Sequence, residues 1–568
     1  MDKKPKSIWK KSLKGPRAFF IFLVLAAVVI TTIGLISGDK SAATGLIVII
    51  TVLALFVVMI CTFFRWLFKP GNFKRFLFSA ACAITLFALL VTEENWRGKQ
   101  AWDKHRREGG AQGMKFVVAE IAPPSVPDEQ NFALTPLLKP ALDFVRTTNG
   151  IQWRDTNAYA RLQLVRADMG EGQTNRLDLG NFEQGTLANL EAVRNFYRGN
   201  TNYPQPAKPG TAAEDILVAL GKFDGELKEL HEAAAARPYS RFPIEYDYEP
   251  AAEILLPHLA QVKGIAEVVN VHAVALLDAG QADRAFEDLK LGFRLSESIK
   301  DEPLLIDHLV RMAILTMDLQ IVREGLARHA WSEAQLAEIE KILEPLNLLV
   351  ELKQAIGGEH ALEVDWVDYA RRNGQIDLDS TTSDWKLVKK SISVLLGGVF
   401  YQNMLVISKL HQQYTMPSID EKARRIFPDT IEATDKKIAE INLHKWVHPY
   451  WFYAIWLFPS LSNAEAKSAR AQTFVDEARV ACALERHRLA NGNFPETLAV
   501  LTRQFIESIP NDVIAGRPLR YRRTADGYIL YGIGWNKIDD GGMIVRADDR
   551  EEKVDVKKGD WVWRCPQK

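Results

Sequence analysis

The chain has 568 residues, a formal net charge of zero, 47% hydrophobic and 25% charged residues; at roughly 100–200 residues per domain it should hold several folding units. The neutral average hides an asymmetry. Residues 1–91 carry twelve Lys or Arg against only Asp2 and Asp39, which leaves 59 of the 71 basic and 69 of the 71 acidic residues for the remainder, a net charge of −10 there. A basic, apolar head on a mildly acidic body speaks against a general nucleic-acid binder, which needs a concentrated basic face on the body.

After the basic tail at 1–17 come three apolar runs, 18–36, 45–64 and 76–91. A hydrocarbon core about 30 Å thick needs about 20 helical residues, so the first two runs are long enough to span and the third is short, with Phe73 available to extend it. A cleaved signal peptide is the competing reading of the first run. Its length, the missing A-x-A site at 33–41 and the runs that follow argue against it. Basic residues in short loops set the orientation. Seven lie in the tail, and Arg65, Lys69, Lys74 and Arg75 lie between the second and third runs, whereas the turn at 37–44 has only Lys40. With three spans the tail is cytoplasmic and the body, from Glu93 and Glu94 onward, is extracytoplasmic. The third run decides the topology, because without it the body flips to the cytoplasm. This pattern predicts a bacterial cytoplasmic (inner) membrane protein with the lipid bilayer as its first partner.

Residues 92–140 read as a polar helix followed by an extended connector. Trp96 and Trp102 stand where tryptophans anchor helix ends, and five prolines at 122–140 forbid helix there. The stretch 141–445 reads as an extracytoplasmic helical domain. It is turn-rich at 149–210 with a helix expected at 183–197, and then strongly helical. Thr211 and Glu214 form a capping box before a stripe of Ile216, Leu217, Leu220, Phe223, Leu227 and Leu230. The clearest unit is a helical hairpin at 255–299 that breaks at Ala279-Gly280. Its centre, ALLDAGQADRAFEDL at 275–289, resembles a tetratricopeptide repeat, in which small residues let two helices pack across a Gly turn. Only one good copy is present. Further helices are expected at 303–326, through 332–373 and at 385–413, around a loop at 379–384; Gln402 and Asn403 make 392–407 a buried helix and not a fourth span.

The segment 446–462 opens WVHPYWFYAIWLFPSL, with Pro449 and Pro459 limiting any helix to about nine residues, too short to span. A core or subunit-contact segment and an interfacial segment lying on the membrane both fit it, since Trp and Tyr favour the headgroup region.

From 463 the pattern changes to a long helix at 464–490 ending at Asn491-Gly492, a short helix from Pro495 to Leu501, and strands at 518–523, 528–534, 543–546, 553–556 and 561–564, with Asp526-Gly527 supplying a hairpin turn. The pieces ALERHRLANGNFPETL at 483–498, Ile509-Pro510 before GRPLRY at 516–521, DGYILYGIG at 526–534 and DDGG at 539–542 resemble the C-terminal half of type II secretion major pseudopilins. The likeness covers about 100 residues and implies a helix packed on a small antiparallel sheet. It does not imply filament assembly, because this module ends a long polypeptide and does not follow a processed leader. Such proteins bind calcium in an acidic loop that Asp539 and Asp540 match loosely; an exposed acidic turn is the other reading, since carboxylate pairs suit calcium but also occur freely on surfaces. The expected fold is therefore mainly α: three N-terminal transmembrane helices, a helical-hairpin, repeat-like body and a small C-terminal α+β pseudopilin-like module.

The chain contains no H-E-x-x-H, C-x-x-C pair, P-loop, G-x-S-x-G or strand-linked G-x-G-x-x-G, and no cofactor is expected. Glu359, His360, Asp365 and Asp368 are a titratable group with helical spacing, read as a solvated face before a site. Arg520, Arg522 and Arg523 form a basic strand patch, and His272 and His308 read as core histidines. Cys61 and Cys82 fall in membrane runs. Cys482 reads as a buried free thiol, with a Cys482–Cys565 disulfide as the alternative. These features favour an anchored interaction or scaffold protein of the cell envelope, partnered by other envelope proteins. An envelope hydrolase or lyase with a site assembled from scattered residues is the alternative.

Overall fold

The structure, a computed structural model, describes residues 68–69, 71–148, 150–167, 179–374, 391, 393, 395–443, 449–457, 461–546 and 554–565. The apolar runs at 18–36 and 45–64, with Cys61, and the expected loop at 379–384 lie outside those residues. The chain divides into two compact units, Met1–Glu93 and Glu94–Lys568. It is mainly α, 63% helical and 9% strand.

Helix α1 runs from Asn72 to Ala111 and contains the third apolar run. Its character changes along its length. Leu77, Phe78, Ile84, Leu86, Phe87, Leu89 and Leu90 are all exposed, and Phe76 and Ala80 are half-buried. From Gly98 on, one stripe of Gly98, Trp102, His105 and Gly109 is buried, the spacing of a helix with a single core-facing side. Two described stretches are long and apolar enough to cross a membrane, α1 and Ala251–Asp278; the second is mostly buried by the fold around it and is a core helix.

After α1, short 3-10 turns before and among the prolines take the place of the extended connector: Val118–Ile121, Asp128–Gln130, Phe132–Leu134 and Lys139–Leu142. Phe132, Leu137 and Leu138 are buried, so the connector lies along the body. A hairpin of β1 (Phe144–Thr147) and β2 (Gly150–Trp153), paired antiparallel, leads to α2 (Thr156–Leu164). The helix expected at 183–197 is shorter: Phe182–Gln184 is a 3-10 turn, and α3 spans Leu190–Arg198, capped by Asn189.

The Thr211–Glu214 capping box forms, with Glu214 N–H donating to Thr211 Oγ1 at 3.2 Å and Thr211 N–H to Glu214 Oε2 at 2.8 Å. The stripe it opens is two helices and not one, α4 (Ala212–Leu220) and α5 (Asp224–Ala236), separated by a 3-10 turn that buries Phe223. The expected hairpin is α6 (Pro257–Asp278) and α7 (Ala282–Glu297). Gly280, at φ +72°, makes the turn, and Gln281 N–H closes onto Leu276 O at 2.8 Å. Helix α8 (Leu305–Ala327) packs on both, followed by α9 (Glu333–Leu343) and α10 (Leu348–Asn373).

Helix α11 (Gly397–Leu410) is buried on most sides, as its length predicted, and runs into a π turn, His411–Thr415. Strands β3 (Ile419–Asp420) and β4 (Arg425–Ile426) precede α12 (Pro428–Leu443). In the aromatic segment Pro449–Trp451 is a 3-10 turn and α13 (Phe452–Leu457) a single short helix.

Helix α14 (Ser462–Asn491) is capped by Gly492 at φ +78°. The sheet that follows has the order β5-β6-β9, all antiparallel, from Arg520–Arg523, Tyr528–Gly532 and Trp561–Arg564, beside a separate hairpin of β7 (Ile544–Arg546) and β8 (Val554–Gly559). Asp526-Gly527 turns β5 into β6 as expected. Short helix 495–501 is reduced to a 3-10 turn, Leu498–Leu501. The expected helix-on-sheet arrangement is present, with Trp561 and Trp563 buried against α14. One continuous core joins α4 through α9, the start of α10, α14 and the β5-β6-β9 sheet. A second, smaller core holds Trp102, Phe116, Trp366, Phe400, Met404, Ile441 and Tyr453.

Candidate functional site

The second core is where sequence-distant polar residues converge. Helices α1, α10 and α11 bring His105, His360 and Ser408 together, each buried. His105 Nε2 lies 2.7 Å and His360 Nε2 2.9 Å from Ser408 Oγ. Burial lowers both imidazoles, His360 to about 3, so both are neutral. The Lys115 carbonyl also faces the His360 ring. Ser408 Oγ thus bridges the two imidazole rings. A serine beside an imidazole resembles a nucleophile beside its base, but Ser408 is closed off from solvent. With Ser408 fully buried, the arrangement acts as a hydrogen-bonded lock between three helices.

The lock continues one turn further. His411 Nε2 is 3.0 Å from Glu363 Oε2, and its Nδ1 is 3.2 Å from Thr415 Oγ1. Burial pushes Glu363 well above the carboxylate range and His411 down to about 3. The π turn at His411–Thr415 sets this ring, a place where the helix ladder is interrupted to aim a side chain.

Close to this core, α1 meets α11 through glycine. A Cβ on Gly98 would lie 2.8 Å from Gly398 O, and one on Gly398 would lie 2.5 Å from Glu94 O. Asn95 stitches the crossing: its Nδ2 donates to Leu395 O at 3.1 Å, and its Oδ1 accepts from Gly398 N–H at 2.5 Å. Arg97 Nη2 donates to Tyr450 Oη at 3.3 Å, which sets the aromatic segment beside the same helix turn. Tyr453 N–H donates to Asn403 Oδ1 at 2.9 Å, and the Tyr453 ring stacks on Phe400. No family model, curated protein or solved structure matches this chain.

The titratable group flagged in the sequence does not converge. Only His360 belongs to the lock. Glu359 is raised to about 7 by burial and by Glu363, Asp365 accepts from Val118 N–H at 3.2 Å, and Asp368 pairs with Arg371 and Arg372. The partners His105, Ser408 and His411 were missed, because they stand 303 and 48 residues from the groups they bind.

His272 and His308 are buried and bonded. His272 Nδ1 is 2.6 Å from Asp288, which His231 also reaches. His308 Nε2 is 2.9 Å from Ser468 Oγ, beside the bidentate Arg311–Glu351 pair. A further buried group joins His258, whose Nε2 is 2.8 Å from Glu302, to Asp307.

In the C-terminal sheet Arg520 donates to Asp539 at 2.8 Å, Arg523 pairs with Glu496, and Arg522 is exposed. Asp539 also accepts from Tyr531 Oη at 3.1 Å, and Asp540 from Asn536 at 2.9 Å. Among the described residues no group of three or more His, Cys, Asp or Glu is placed to hold a metal. Cys482 and Cys565 are both free, Cys482 buried and its thiol raised by desolvation. A cleft of about 630 Å³ lies between the ends of α8 and α14 and the β5–β6 turn, lined by His329, Arg488, Asn493, Asp526 and Cys565. It touches none of the lock residues.

Proposed function

We propose that this chain is a membrane-anchored, extracytoplasmic interaction or scaffold protein of the cell envelope, with a cytoplasmic N-terminal tail, three spans and a helical body that engages other envelope proteins. The observation that carries the reading is the change of pattern along α1, from apolar and mostly exposed before Val91 to one buried stripe from Gly98. An apolar helix surface of that length, mostly exposed among the described residues, is at home in hydrocarbon, and the buried stripe beyond it belongs to the body. The strongly shifted ionisable groups, Glu363, His411, Asp307 and His258, lie inside closed cores, which favours a structural body over a hydrolase or lyase.

A paired reporter fusion after Lys115 tests the topology. Alkaline phosphatase fused there is expected to be active and a cytoplasm-only fluorescent protein dark. A bright fluorescent fusion with inactive phosphatase overturns the extracytoplasmic placement.

A further inference from the structure

The exposed large apolar side chains of the body are not scattered evenly. Trp96 is 66% exposed, Phe452 51% and Trp456 46%, with Leu395 and Leu396 also exposed. All five sit on pieces that meet around residues 94–98: Leu395 O accepts from Asn95, and Tyr450, two residues before Phe452, accepts from Arg97. Phe452 and Trp456 are one turn apart on α13, with ring centroids 6.3 Å from each other. Their neighbour Tyr453 is buried in the second core. Helix α13 is therefore held by its inner face and presents its outer aromatics.

Two physical facts choose the occupant. Along the helix axis, Trp96 stands five residues beyond Val91, about 7.5 Å at 1.5 Å per residue, which is headgroup depth for a span that ends at Val91. Tryptophan and phenylalanine beside an apolar span are the residues that partition into that layer. Trp96 thus follows the exposed apolar stretch of α1 on one continuous helix. We propose that Trp96, Phe452, Trp456, Leu395 and Leu396 form a lipid-binding shelf that rests in the headgroup region of the bilayer from which α1 emerges. This rests on the membrane-anchor reading above. The shelf gives α13 a use that its length, too short to span, otherwise lacks. The glycine crossing and the Asn95 bonds hold it at a fixed height on α1.

A photoreactive benzoylphenylalanine placed singly at Trp96, Phe452 or Trp456 tests this in the full chain, reconstituted into phosphatidylethanolamine–phosphatidylglycerol vesicles. Phe87, in the apolar part of α1, is the anchor control, and Ile538, exposed in the C-terminal module, is the distal control. Lipid adducts are expected by mass spectrometry at Phe87 and at the three shelf positions, several-fold above Ile538. Lipid adducts at Phe87 with protein adducts, or none, at all three shelf positions overturn the shelf and leave the anchor standing. Adducts at Ile538 equal to those of the shelf also overturn it. Absence of lipid at Phe87 overturns the anchor reading itself. Three independent probe positions keep the test decisive if Trp456, which packs on Trp366, does not tolerate replacement.

Discussion

Asp307 stands in the first turn of α8, where its Oδ2 accepts from Leu304 N–H at 2.9 Å. Burial, with the nearby Glu302 carboxyl, pushes it up to about 8. The folded chain thus keeps a proton that the unfolded chain releases at the ordinary carboxyl value. The stability tied to that proton is complete below about pH 4 and is lost as pH rises toward 8, at about 1.4 kcal/mol per pH unit. Histidines run the other way. Burial lowers His258 to about 4 and His360 and His411 to about 3, so their contribution is complete above about pH 6.5 and is lost as pH falls below it. Asp307→Asn separates the two: the amide still accepts from Leu304 but has no proton to lose. Denaturant midpoints of this variant are expected to fall less between pH 5 and 8 than those of the parent, with the acid limb unchanged. Parallel curves for the two proteins across that range would contradict the assignment.

At the scale of elements, the glycine crossing of α1 and α11 makes a sharper demand than any stripe of apolar residues. The atoms that a Cβ would strike at Gly98 and Gly398 are backbone atoms, which cannot rotate aside. Gly98→Ala must therefore separate the two helices and stretch the Asn95 bonds, a cost of about 1–3 kcal/mol for overpacking. Gly110, in the same helix with nothing within 4 Å of its Cβ, is the control. Gly110→Ala is expected to be neutral or to stabilise by up to about 1 kcal/mol through helix propensity. Thermal unfolding of the two variants in the same detergent reads the contrast, and equal midpoints would show that the crossing is not tight. The sequence could not announce this contact, since a glycine in a helical stretch looks the same whether or not another backbone approaches it. What it did announce was local chemistry: the Thr211 cap, the Gly280 turn and the Asp526-Gly527 hairpin all form where their residues stand. It misled where a periodic stripe continued through a tertiary break, as at Phe223. The histidine lock was visible only as His360, because its other members are assembled by folding and carry no spacing of their own.

For the body as a whole, the sequence suggested a small C-terminal module following a helical domain, yet α14 is buried along nearly its full length and lies against α8, α9 and α10 as well as its own sheet. Polar bonds cross the same boundary. Gln472 Oε1 accepts from Leu348 N–H at 2.7 Å, and Arg479 pairs with Glu340 at 2.9 Å. Arg323, buried in α8, donates to the carbonyls of Gly185 and Arg564 and lies over the Trp563 ring. Phe474, Val475 and Leu484 are each worth roughly 1.5–3 kcal/mol when buried, and ending the chain before α14 would expose their partners, leave Leu348 N–H without its acceptor and take the Arg564 carbonyl from Arg323. Glu94–Lys568 should then unfold as one cooperative unit. The full chain in detergent is expected to give a single thermal transition by tryptophan fluorescence, coincident with helix loss by circular dichroism. A chain ending at residue 461 is expected to show no cooperative transition and to be cut rapidly by protease. Two separated transitions, or a truncated chain that melts like the parent, would mean that the C-terminal module folds apart from the helices it touches.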